Sequence, residues 1–107
     1  MLTGSCLCGK VRYRVSGKLG PLAYCHCTEC QRASGTAFAA NAPVRARYLE
    51  FASGRDAIRE YESSPGKFRA FCSGCGSPLY SRVEADPDTF RLRVGCLDGD
   101  QIGRAHV

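Results

Sequence analysis

Apolar and basic residues alternate in Val11-Arg12-Tyr13-Arg14-Val15, and again in Phe90-Arg91-Leu92-Arg93-Val94. A period of two puts the apolar members on one face of a strand and the arginines on the other. Each segment therefore predicts a β-strand with one face buried. Between them, short strands are predicted over residues 36–41, 44–51, 57–62, 67–71 and 79–83. Turn chemistry separates them, at residues 17–21, Ala42-Pro43, Ser53-Gly54, residues 63–66 and Asp86-Pro87-Asp88. Strands spaced this regularly point to an all-β sandwich or barrel-like fold rather than βαβ units. One short helical turn fits, over residues 28–33, with Thr28 as N-cap and Gly35 as the stop.

The chain has 107 residues, which predicts one small domain over residues 1–107 with a limited core. Metal cross-links would add usefully to its stability. No apolar run approaches the roughly 20 residues of a membrane span. The start, Met1-Leu2-Thr3-Gly4-Ser5, lacks the basic and apolar regions of a signal peptide, which predicts a cytoplasmic protein with reduced thiols. The formal charge of +5 suggests an acidic partner. Seven ligating thiolates and two Zn²⁺ would bring it to about +2, which weakens the case for nucleic acid. The twelve arginines are also scattered, as on a solvated face rather than along a phosphate track.

Eight cysteines carry the chemistry. They form Cys6-Leu7-Cys8, then Cys25-His26-Cys27-Thr28-Glu29-Cys30, then Cys72-Ser73-Gly74-Cys75, with Cys96 alone. Four disulfides would suit a secreted mini-protein, but Cys-x-Cys does not readily bridge itself and Cys-x-x-Cys is the usual half-site of a zinc knuckle. Two plus two thiols close a tetrahedral structural site from Cys6, Cys8, Cys72 and Cys75. About 64 residues separate these halves, so one zinc would tie the N-terminus to the middle of the fold. Cys25, Cys27 and Cys30 offer three thiols from one segment. The fourth position is either open to water or substrate, as in a catalytic zinc, or closed by Cys96 or His26.

Residues 4–13 and 25–35, together with Phe71-Cys72-Ser73-Gly74-Cys75-Gly76-Ser77-Pro78-Leu79 and Val94-Gly95-Cys96-Leu97-Asp98, resemble the motifs of the glutathione-dependent formaldehyde-activating (GFA) family, which includes centromere protein V. The similarity runs in order along nearly the whole chain. It implies a β-tent fold with two Zn²⁺ per chain: a structural zinc on Cys6, Cys8, Cys72 and Cys75, and a catalytic zinc on Cys25, Cys27 and Cys30. It also implies a carbon–sulfur lyase that adds glutathione, or a similar thiol, to formaldehyde or a related small aldehyde. Glutathione carries two carboxylates, and Arg32 is the candidate to grip one. Phe38, on the strand after the helix, is the candidate pocket wall.

Two departures from the family pattern bear on this. Cys96 stands where a small or apolar residue is expected, and as a fourth ligand it would make both zincs structural. The family usually continues past Asp98 with a further strand and an aromatic, proline-rich tail, whereas this sequence stops at Ile102-Gly103-Arg104-Ala105-His106-Val107. A short tail would leave a sheet edge free to pair with a second copy. Three function classes therefore stand: a zinc-dependent carbon–sulfur lyase, a non-catalytic zinc-stabilised binding module, and a nucleic-acid binder supported only by raw charge.

Overall fold

The computed structural model describes residues 1–99, so the expected short tail lies outside the described residues. The fold is all-β with one short helix. The strands are β1 (Leu2–Ser5), β2 (Arg12–Val15), β3 (Ala23–Cys25), β4 (Ala39–Arg45), β5 (Leu49–Ser53), β6 (Ile58–Ser64), β7 (Lys67–Cys72), β8 (Pro78–Val83) and β9 (Asp86–Arg93). The helix α1 (Thr28–Ser34) joins β3 to β4. They build a three-stranded sheet in the order β1-β2-β5 and a six-stranded sheet in the order β3-β4-β9-β8-β7-β6. All pairings are antiparallel.

The alternation in β2 does what it predicts. Tyr13 and Val15 are buried, while Arg12 and Arg14 face solvent. The buried side of the small sheet meets Ala42, Val44, Ala70, Leu79, Tyr80 and Leu92 of the large one in a single hydrophobic cluster. A run of rings crosses between the sheets, Tyr13 to Phe51 at 6.1 Å, Phe51 to Tyr80 at 6.1 Å and Tyr80 to Phe90 at 4.7 Å. Such pairs add directional packing to plain area burial. Cys6 and Cys72 belong to this same cluster, so the outer cysteine motifs are anchored in the core.

Several boundaries depart from the sequence expectations, each for a local reason. Ala42-Pro43 is not a turn but the middle of β4. Pairing with β3 ends at Asn41, and the Pro43 carbonyl turns away from β9 to accept from Gly20 N at 2.7 Å. The missing proline N–H therefore falls on the side away from β9 and costs no ladder bond. Asp86-Pro87-Asp88 likewise opens β9, at a register irregularity of β8, and the turn falls at residues 84–85. The expected strand over residues 44–51 is broken by a 3₁₀ turn at Ala46–Tyr48. Strands β1 and β3 were not anticipated, being short and without clear alternation.

β1 is secured at its outer edge by the far end of the described chain. Gly4 bridges Leu97, Asp98 N donates to Thr3 O at 2.9 Å, and Thr3 Oγ1 donates to Asp98 Oδ2 at 2.6 Å. Gly4 permits this approach, because a Cβ there would lie 2.4 Å from the Tyr13 ring and 2.7 Å from the Cys96 carbonyl.

Candidate metal centres

The sulfurs of Cys6, Cys8, Cys72 and Cys75 all lie within 4.8 Å of one another. Cys6 and Cys8 sulfurs are 3.6 Å apart, and Cys8 and Cys72 sulfurs 3.9 Å. A tetrahedron with metal–sulfur bonds of about 2.3 Å has edges of about 3.8 Å, so this donor set fits zinc in a closed four-thiolate site. Each half-motif ends in a glycine with left-handed backbone, Gly9 at φ 80° and Gly76 at φ 80°. The curl this allows aims amides at sulfur: Val11 N donates to Cys6 Sγ at 3.3 Å and Gly74 N to Cys72 Sγ at 3.3 Å. Ser77 links the halves, its Oγ accepting from Leu7 N at 2.8 Å and lying 3.3 Å from Cys75 Sγ. Bonds from the Ser77 hydroxyl and amide pull the Cys75 thiol down to about 5, ready to ligate as thiolate.

The second group joins Cys25, Cys27 and Cys30, again with all sulfurs within 4.8 Å. Cys25 ends β3, Cys27 lies in the link, and Cys30 is buried on the first turn of α1. The Cys25–Cys27 sulfur separation of 3.5 Å also suits a tetrahedral edge. Thr28 was expected to cap the helix, but Cys27 does so. Its backbone is extended, and its Sγ accepts from Cys30 N at 3.4 Å. That N–H lowers the Cys27 thiol to about 7. Gly35 stops the helix in the left-handed region, as expected.

Arg69 of β7 was missed by the sequence reading. Its Nη1 and Nη2 donate to Cys30 Sγ at 3.7 and 3.8 Å, Nη2 to Glu29 Oε1 at 3.2 Å, and Nε to Ser63 Oγ at 3.0 Å. It is only 8% exposed. Arg93 of β9 is equally buried, and its Nη1 donates to Asn41 Oδ1 across the β4–β9 pair. These two arginines correct the expectation of a uniformly solvated basic face. An arginine inside the apolar run of residues 68–72 hints at burial for Arg69, whereas nothing local to the sequence marks Arg93.

Arg32 is exposed on α1, and among the described residues it makes no hydrogen bond or ion pair. Phe38 is 37% exposed, its ring 4.5 Å from Tyr24 and 5.5 Å from His26. These three form a surface aromatic group on the β3–β4 edge that carries Cys25. Cys96 lies outside both sulfur groups. Its thiol donates to Pro78 O at 3.2 Å, and it is raised by burial and by the neighbouring Cys6 and Cys75 thiolates. It therefore sits on the four-cysteine side of the molecule. None of the eight cysteines forms a disulfide.

Two antiparallel sheets carrying one four-cysteine and one three-cysteine cluster define a small all-β protein with two sites that could hold metal ions. The profile of the family described as glutathione-dependent formaldehyde-activating enzyme matches residues 1–106, and the chain belongs to that family. A Halomonas elongata protein provisionally named a glutathione-dependent formaldehyde-activating enzyme is 35% identical over 94% of this chain and 68% of its own length. Proteins of the same provisional name from Aspergillus flavus and Aspergillus oryzae are each 28% identical over 76% of this chain. The match spans 44% of each Aspergillus protein. In fold, the chain is similar to a crystal structure of a Rhodobacter sphaeroides protein, with a TM-score of 0.77 at 23% identity, covering 95% of this chain and 91% of that one.

Proposed function

We propose that the protein is a zinc-dependent carbon–sulfur lyase of the S-(hydroxymethyl)glutathione synthase kind, adding a thiol such as glutathione to formaldehyde or a related small aldehyde. The observation that carries this reading is the asymmetry in donor number. One cluster brings four sulfurs together and the other three, with no further sulfur, imidazole or carboxylate joining the three among the described residues. Zinc held by Cys25, Cys27 and Cys30 would supply a Lewis-acidic position at which a thiol ionises near neutral pH. The chain's own groups prepare that position. The Cys30 amide holds Cys27 as an acceptor, and the Arg69 guanidinium offsets the negative charge gathered at Cys30.

In the reaction the thiol sulfur attacks the carbonyl carbon. A carbon–sulfur bond forms, the carbonyl π bond opens, and the thiol proton ends on the new hydroxyl. No redox partner is needed. The four-cysteine cluster plays no part in this step, and it holds the N-terminal strand to the core. Sites built on thiolate ligands need their cysteines reduced, which suits a cytoplasmic protein. No helix among the described residues is long and apolar enough to cross a membrane.

The test is exchange NMR of glutathione and formaldehyde with the zinc-loaded protein. The expected result is adduct formation above the uncatalysed rate, returning to background in Cys27→Ser. Equal rates with and without the protein would overturn the reading.

A further inference from the structure

The six-stranded sheet has two faces, and Arg69 reaches Cys30 on one of them. Tyr61 pairs with Arg69 and Arg69 with Ser81, so these three share that face. Glu60, Ala70 and Tyr80 form the neighbouring row of pairs and point to the opposite face. On that opposite face a groove of about 500 Å³ opens beside β5, the last strand of the small sheet. Its size falls within the range of small-ligand pockets, about 300–1,000 Å³. No cysteine lines it, so it is separate from both sulfur clusters.

The apolar surface of the groove comes from both sheets. Phe51 of β5 lies 6.1 Å from Tyr80 of β8, and Tyr80 lies 4.7 Å from Phe90 of β9. Ile58 and Pro87 complete this surface. Phe51, Ile58 and Phe90 are only half-buried, so part of each still faces the groove.

Arg55, Arg59 and Arg82 also line it, against the single acid Glu60. Glu60 is already engaged. Arg82 holds its carboxylate through Nε and Nη2 at 2.8 and 2.7 Å, and Tyr80 Oη donates to it at 2.8 Å. Arg55 and Arg59 make no ion pair among the described residues. Arg55 lies over the Phe51 ring, 5.6 Å from its centroid, a placement that keeps the guanidinium beside the apolar surface. Arg59 Nη1 donates to the Asp56 and Ile58 carbonyls at 2.8 and 3.2 Å, which fixes the side chain without neutralising it. Both arginines are exposed, so their charge is solvated and available to a ligand. Rings that offer open faces beside two unneutralised forks match a flat aromatic body bearing an acid group.

We propose that this groove is a second ligand site, taking a small flat aromatic anion. Its ring body lies against Phe51, Tyr80 and Phe90, and Arg55 and Arg59 hold its acid group. The site goes beyond the thiol-addition reading and does not depend on it, because the groove contains none of the cysteines. Phe51 and Tyr80 belong to different sheets, so a bound ring bridges the two.

The probes are 1-naphthoate, its neutral isostere 1-naphthamide, and 1-naphthyl phosphate. Each is titrated into the zinc-loaded protein and followed by the backbone amide signals in NMR. Naphthoate is expected to move the amides of Phe51, Arg55, Ile58 and Phe90 and to leave those of Cys25, Cys27 and Cys30 in place. It should bind about 10-fold more tightly than naphthamide, and added salt should shrink that advantage. Arg55→Gln should remove most of the advantage while adduct formation from glutathione and formaldehyde stays at the level of the unaltered protein. Either acid group satisfies the proposal, and the tighter of naphthoate and naphthyl phosphate names the kind of acid the site prefers. Absence of binding, equal binding of naphthoate and naphthamide, or shifts confined to the three-cysteine segment would each overturn it. The naphthamide comparison needs no variant, so a poorly folded Arg55→Gln does not remove the test. A protein that shows the groove shifts yet forms no adduct would overturn the thiol-addition reading and leave this site standing.

Discussion

The two cysteine clusters set the same atoms in different surroundings. In both, sulfurs lie at the edge lengths of a metal–thiolate tetrahedron and accept backbone N–H groups. The four-cysteine cluster joins segments 64 residues apart, and two of its thiols are core residues at 3% and 0% exposure. The three-cysteine cluster comes from one short segment, spanning the end of β3 and the first turn of α1. Its Cys27 is exposed. A metal in the first closes a long loop and carries folding free energy, whereas a metal in the second orders little chain. On the proposed reading, reactivity belongs to the second site because its metal has no chain to hold together.

The largest break in the comparison should come from Cys72→Ser. A structural zinc contributes about 10–16 kcal/mol, against a total stability of about 5–15 kcal/mol for a domain. The variant should therefore show no cooperative thermal unfolding by circular dichroism. Cys27→Ser should behave in the opposite way, retaining one zinc per chain and losing adduct formation. Serine keeps a capping acceptor at that position, so Tm should fall by less than about 8 °C.

Arg69→Gln sharpens the difference between the clusters. It leaves Cys30 without its charged donor, so zinc affinity at the three-cysteine cluster should fall about 10–100-fold in a chelator competition. Affinity at the four-cysteine cluster should stay unchanged. The smallest effect lies outside both clusters, at Glu60. Arg82 Nε and Nη2 hold its carboxylate at 2.8 and 2.7 Å, Tyr80 Oη adds 2.8 Å, and these bonds keep it below the usual carboxylate range. Its contribution is present above the unfolded value of about 4.3 and is lost as pH falls through the folded one. Glu60→Gln should cost about 1 kcal/mol at neutral pH, and that cost should vanish on acidification, read by denaturant melts at matched zinc content.

Local patterns in the sequence account for much of this architecture. The two-residue period revealed β2 and β9, and the spacing of the cysteines divided them into half-sites before any coordinates. Both proline errors came from reading Pro as a turn where the edge of a sheet tolerates it. The arginine error was of another kind. Whether Arg69 and Arg93 are solvated depends on the register of β7 and β9 and on what α1 covers, which no local window contains. Arg32, chosen for its closeness to Cys30 in sequence, is exposed on α1. The position of Cys96 is likewise a tertiary fact, fixed by the bridge between Gly4 and Leu97.

The central claim is that the two metals differ in coordination, one closed by four sulfurs and one left open by three. X-ray absorption at the zinc edge, with and without glutathione, tests it directly. The expected average is about 3.5 sulfurs per zinc in the free protein, rising to about 4 when the thiol binds. Four sulfurs per zinc before any thiol is added, unchanged afterwards, would contradict it.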